Sequence, residues 1–271
     1  MSRFDEYVNK YKTIKLERKK GILQMTLHTE DKPVRWGPVI QSELVDCFTQ
    51  IGADRENRII IMTGIGNEFS GPRAEAGFSF YREVSTNITA NLLDEIHWNA
   101  HRIMTRMLDI EVPMIAVVNG PAMRHSELPL MCDIVIGADD CSFEDTAHFK
   151  IASQTPGDGI GIVYTMLLGI NRARYFMLTG QVIGAKEAKE LGLIAEIHPR
   201  EKLLARAWEL AEDLAKKNDL LLRYTRVTLV QPLKKWMNNE VMYHLALESL
   251  AKLDKEDVMP DHKEIEDGTK K

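Results

Sequence analysis

Three segments carry residue types and spacings that packing alone explains poorly. In NGPAMRHSELPLMCD (119–133), a strand-like run ends at Asn119-Gly120, a turn follows, and a helix is expected to start near His125. The first N–H groups of a helix are unpaired and point outward, which suits an anion or an oxyanion. A histidine at that point can donate to developing negative charge, or can be no more than a polar first-turn residue. In FEDTAHFKIASQTPGDGIG (143–161), Glu144, Asp145, His148 and Asp158 surround a Pro-Gly turn. A histidine and an aspartate brought together by a loop are the minimum for activating water: the imidazole takes the proton and the carboxylate orients it. Asp158, between two glycines, also fits plain turn chemistry. In HLALESLAKL, Glu248 falls on the helical face of Val241 and Leu245, at spacings of four and three. A carboxylate on an apolar stripe is costly unless it is paired, functional or at an edge that reaches solvent.

Other motifs are weaker. His97 and His101 have the spacing of two imidazoles sharing a metal. The sequence between them, HWNAH, lacks the Glu of zinc hydrolases and no third ligand accompanies it, so no metal is expected. GIGNEFSG (64–71) has glycines but not dinucleotide-binding spacing. Arg223, Arg226, Lys234 and Lys235 read as a solvated helix face. Cys47, Cys132 and Cys141 are odd in number and form no CxxC pair, so they read as free thiols of a reducing cytoplasm.

The elements that must position these residues follow from periodicity. Residues 13–18 and 22–28 alternate apolar and polar side chains around Lys20-Gly21, a hairpin signature. A helix is expected over 42–51 with Ser42 as its cap, and another over 91–109. Apolar runs at 58–63, after Pro113, and at CDIVIGA suit buried parallel strands. Strand, helix and buried strand in alternation indicate an α/β fold. Residues 67–90 read as a loop, and three amphipathic helices are expected over 201–216, 218–230 and 234–254. This divides the chain into a core over 1–200 and a C-terminal helical region over 201–271 with a charged tail.

The chain has 271 residues, 44% hydrophobic and 28% charged, which excludes disordered, collagen-like and disulfide-scaffold classes. No apolar run approaches the roughly 20 residues of a membrane-spanning helix. The charged N-terminus has no signal-peptide core, so a cytoplasmic location is expected. A net charge of −5 argues against nonspecific nucleic-acid binding.

The runs IIIMTGIGNEFS, EVPMIAVVNGPA with ELPLMCDIVIGAD, TPGDG and NRARYFMLTGQVIGAKEAKELGLIAEI resemble the crotonase (enoyl-CoA hydratase/isomerase) superfamily from about residue 13 to 255. The resemblance implies a ββα-spiral core, a C-terminal helical region used for trimerisation, and trimers or dimers of trimers. CoA-dependent members carry a Gly-Gly-Gly-type run where Arg124-His125-Ser126 stands here, and GPRAEAGFSF fits their first oxyanion strand poorly. The pattern is similar instead to the β-diketone hydrolase branch typified by 6-oxocamphor hydrolase. That likeness implies His125, His148, Asp158 and Glu248 as catalytic residues and Trp36 at the substrate. Gln41 stands where the branch has a further histidine; it can hydrogen-bond but not exchange a proton at neutral pH. Trp36, Phe78 and Phe80 would supply apolar walls. The implied reaction is retro-Claisen hydrolysis of a β-diketone without CoA, metal or other cofactor. In it His148 with Asp158 activates water, Glu248 assists, and His125 holds the enolate charge. A CoA-thioester hydratase, isomerase or hydrolase, a biosynthetic enzyme on the same acid–base set, and a non-catalytic member of the fold remain the alternatives.

Overall fold

The chain first reverses at Lys20 and Gly21, both in left-handed backbone (φ 50° and 78°). Two successive positive φ values make the hairpin turn whose twist matches the flanking strands. The computed structural model describes residues 3–72, 89–152 and 154–253. Its strands are β1 (Ile14–Lys19), β2 (Ile22–Leu27), β3 (Ile59–Gly64), β4 (Met114–Val118), β5 (Ile134–Ala138), β6 (Ser142–Phe143), β7 (Ile183–Gly184) and β8 (Glu196–His198). β1 pairs antiparallel with β2, and β2, β3, β4, β5 and β8 continue in parallel in that order. β3 and β4 are buried along their whole length, as unbroken Ile, Met and Val runs require of central parallel strands. β6 and β7 form a separate short pair.

The helices are α1 (Pro38–Ala53), α2 (Ala90–Asp109), α3 (Glu127–Leu130), α4 (Ile160–Leu168), α5 (Ile170–Thr179), α6 (Ala185–Glu190), α7 (Arg200–Leu214) and α8 (Asp219–Leu253). α1 begins four residues before the expected cap. Pro38 occupies its first turn, where a fixed φ and a missing N–H cost nothing. Ser42 lies inside the helix and donates to Val39 O at 3.0 Å. α7 packs on β3, β4 and β5, while α8 crosses α2 and α4.

α8 is one helix where the periodicity predicts two, with Pro232 inside it. An internal proline costs about 3 kcal/mol, and buried contacts on both sides of Pro232 outweigh it. Before it, Arg226 is 1% exposed, donates to Ile110 O at 2.8 Å and pairs with Asp133. After it, Met237, Val241 and Leu245 are buried. Arg223 and Arg226 are thus not part of a solvated face: Arg223 donates to the carbonyls of Arg55 and Asn57. Both thus spend their donors on backbone carbonyls rather than on water.

Candidate active site

The end of β4 is tied to the loop after β3 by one side chain. Asn119 Oδ1 accepts the Gly64 N–H at 3.1 Å, and its Nδ2 donates to Gly66 O and Glu68 O at 2.9 and 3.0 Å. From this anchor the chain runs through a turn to His125, whose φ is 48°. That is glycine's region of the map, and a non-glycine residue there costs of order 1 kcal/mol or more. α3 is a single turn, so the helix-start anion site foreseen at His125 is not carried by helix geometry. What the segment offers instead is the imidazole itself. It lies against the Trp36 ring with centroids 3.9 Å apart and planes inclined by 30°.

The second segment leaves β6 and winds into a π-helical turn, Ala147–Ala152. Such turns concentrate at functional sites because they re-aim side chains. Here the turn presents His148, whose Nδ1 lies 2.5 Å from Asp145 Oδ1. The Pro156–Gly159 turn then returns under it and carries Asp158. Gly157 is needed for close approach: a Cβ there would lie 2.6 Å from Glu248 Cβ and from His244 O. Gly157→Ala should therefore push the loop off α8 and destabilise the protein by roughly 1–3 kcal/mol. Thermal unfolding checks this; an unchanged melting temperature would mean the loop can move freely.

Asp158 joins the two imidazoles. Its Oδ2 lies 3.3 Å from His125 Nδ1 and 3.5 Å from His148 Nε2. Glu127 Oε1 approaches His125 Nδ1 at 2.8 Å. The result is one chain of groups, Glu127, His125, Asp158, His148 and Asp145. Glu248 adjoins it, buried and bonded to Gln154 Nε2. The stripe position of Glu248 is thus inside, 4% exposed, rather than at a solvated edge.

Burial sets the charges. For His148, burial disfavours the imidazolium, but Asp145, Asp158 and Glu248 outweigh it and push the pKa up from 6.5 to about 10. A pKa raised this far favours the imidazolium at neutral pH, whereas the sequence reading gave His148 the part of the base. The His125 pKa also rises, since Glu127 and Asp158 overcome the burial that would lower it. Burial pushes the Asp145 carboxyl up, partly opposed by His148. A folded-state pKa above the unfolded value means the His148 contribution to stability is complete below about 6.5 and lost as pH rises through about 10. The melting-temperature gap between wild type and His148→Gln should then narrow between pH 8 and 10.5. A constant gap would show that His148 is neutral in the fold.

The structure joins His125, His148 and Asp158, places Glu248 beside them and stacks Trp36 on His125. Trp36 Nε1 is buried without a partner among the described residues. Gln41 sits in the first turns of α1, half-buried, and does not enter the hydrogen-bonded chain. Phe78 and Phe80 lie outside the described residues. Sequence reading left Glu127 and Asp145 without roles, though each lies two or three residues from its histidine. His97 Nε2 bonds to Ser249 Oγ on α8. Among the described residues, the side chains close enough to share a cation are His125, Glu127 and Asp158, with ligand atoms within 4.8 Å of one another. No helix of the described residues is long and apolar enough to cross a membrane. All three cysteines are free and buried, their thiols pushed up by burial.

The solved structure of a β-diketone hydrolase from the cyanobacterium Anabaena sp. PCC 7120, bound to (S)-3-oxocyclohexyl acetic acid, is 36% identical to this chain. It superposes with a TM-score of 0.86, covering 94% of this chain and 98% of that one. The hydroxycinnamoyl-CoA hydratase-lyase of Pseudomonas fluorescens is 28% identical over 223 residues, 80% of this chain and 78% of that protein. An enoyl-CoA hydratase/isomerase from Mycobacterium paratuberculosis shares the fold at a TM-score of 0.82 and 22% identity, covering 91% of this chain and 96% of that one. The family model described as enoyl-CoA hydratase/isomerase matches residues 17–262, and the chain belongs to that family, the crotonase superfamily of enzymes, with its mostly parallel α/β core and C-terminal helices.

Proposed function

We propose that this protein is a cofactor-independent C–C bond hydrolase that opens a β-diketone, cyclic or otherwise non-enolisable, by a retro-Claisen reaction. The observation that carries this reading is the place of Asp158 Oδ2, between His125 Nδ1 at 3.3 Å and His148 Nε2 at 3.5 Å in a buried site. One carboxylate there can take a proton from water and later release it to carbon, with an imidazole on each side. The likeness to the Anabaena hydrolase supports the same assignment.

Asp158 accepts a proton from water as the oxygen attacks one carbonyl carbon. His148, held as imidazolium by Asp145, offsets the charge of Asp158 and of the tetrahedral oxyanion. The C–C bond breaks and its electron pair leaves as an enolate. The His125 Nε2–H holds the enolate oxygen, an interaction of the kind worth roughly 3–4 kcal/mol in the transition state. The proton on Asp158 passes to the enolate carbon, so a cyclic diketone and water give one keto acid, and an acyclic one gives a ketone and an acid. Glu248 keeps the Asp158 loop and Gln154 in register, and Trp36 forms an apolar wall.

A CoA-thioester hydratase is the second reading, favoured by the Pseudomonas relative. It needs a backbone oxyanion hole at the position filled by the His125 side chain. Cyclic and bicyclic β-diketones in ¹⁸O-water should yield keto acids with one ¹⁸O in the new carboxylate, and chelation should leave the rate unchanged. Turnover of enoyl-CoA thioesters without cleavage of any diketone would overturn the assignment. Exposed apolar residues along α8, among them Tyr224, Leu229, Trp236 and Leu250, support assembly into trimers or dimers of trimers, which light scattering would reveal.

A further inference from the structure

Glu127 is the most deeply buried ionisable group in the site, 0% exposed, and the reaction above gives it no part. Its Oε1 lies 2.8 Å from His125 Nδ1, and its Oε2 is buried without a partner among the described residues. We propose that Glu127 shares a proton with His125 Nδ1 and thereby keeps a hydrogen on His125 Nε2, acting as the positioning residue of the imidazole donor. The inference rests on the reading of His125 as donor to the substrate, and adds the group that makes it one.

The argument is a count of protons. With two protons on the pair, either an imidazolium faces a carboxylate or a neutral imidazole faces a carboxylic acid. Nε2 bears a hydrogen in both arrangements. With one proton, Nδ1 keeps it beside the carboxylate, and Nε2 is left bare and unable to donate. The environment favours two. Asp158, from the turn before α4, adds negative charge at Nδ1. His148, from the π-helical turn, opposes the second proton but lies on the far side of Asp158. Burial raises the Glu127 carboxyl, with His125 pulling the other way and Asp158 adding to the rise. Tyr164, from α4, stays un-ionised: burial holds its phenol far above the usual range, and its hydroxyl bonds to Ser126 Oγ at 2.7 Å. Trp36 covers the ring face and brings no charge.

Glu127→Gln keeps the shape and removes the charge. Removing an opposite charge at this distance should lower the His125 titration by roughly 1–3 pH units. In ¹⁵N-histidine-labelled protein the His125 ring signal, assigned by its loss in His125→Gln, should titrate that much lower in Glu127→Gln. It should move back toward wild type in Glu127→Asp. The alkaline limb of kcat/KM on a cleaved diketone should shift by the same amount. An unchanged His125 titration in Glu127→Gln overturns the inference, as does a shifted titration with an unmoved alkaline limb. The spectroscopic titration needs no substrate. A shift there without diketone cleavage would support the shared proton and sink only the hydrolase reading.

Discussion

Asp158→Asn should lower kcat on a β-diketone by a factor of ~10²–10⁴, the range for loss of a positioned acid–base group. KM should change far less. Asn keeps the size of Asp, so the Pro156–Gly159 turn and its contact with α8 should survive. The amide can neither take a proton from water nor release one to the enolate carbon. It also removes the negative charge that faces both imidazoles, so both should titrate lower than in wild type. Steady-state kinetics with the ring titration separate these effects. If the variant kept more than about a tenth of wild-type kcat, the proton would travel by another group. Asp145, already bonded to His148 at 2.5 Å, would then be the first to replace.

His125→Ala should cost ~10²–10³ in kcat, as loss of one oxyanion donor does. Its partner His125→Gly tells more, because φ at this position is 48°. Glycine reaches that conformation without strain and alanine does not, so the Gly variant should melt higher than the Ala variant, by of order 1 kcal/mol in stability. On a diketone hydrolase the better-folded Gly variant should be no faster than Ala, since neither supplies a donor side chain. A Gly variant that recovered diketone cleavage would show that a backbone N–H, not the imidazole, holds the charge. Gain of thioester turnover in the same variant would favour the CoA-type reading.

Much of this architecture is local in origin and so legible in the chain. The Lys20-Gly21 reversal needs two positive φ values, and glycine beside a turn residue announces them. The buried runs of β3 and β4 are continuous because both faces are covered, a pattern no surface strand shows. His125 and His148 each stand out beside a turn or loop, and the PGDG turn marks Asp158. Where the reading failed, contacts distant in sequence had overruled a local rule. Pro232 signals a break, but Arg226 and Met237 pin both halves of α8 to the core. Arg223 and Arg226 have the spacing of a solvated face, yet the carbonyls they close come from segments more than 100 residues away.

The sequence by itself determined the α/β order of elements, the family pattern and the short set of residues able to do acid–base chemistry. It determined these because backbone propensity, apolar periodicity and residue type are properties of neighbours along the chain. Only the tertiary structure decided how those residues act. Folding brings Asp158 between two imidazoles, sets Glu127 on the same His125 nitrogen that Asp158 faces, and sets Asp145 on the outer nitrogen of His148. It also excludes the water that would screen them. A His148 pKa pushed up to about 10 follows from three carboxylates that approach from three different elements and together overcome the burial that would lower it. Residue type fixes a reference pKa, but the distances and burial that move it exist only once the chain has closed on itself.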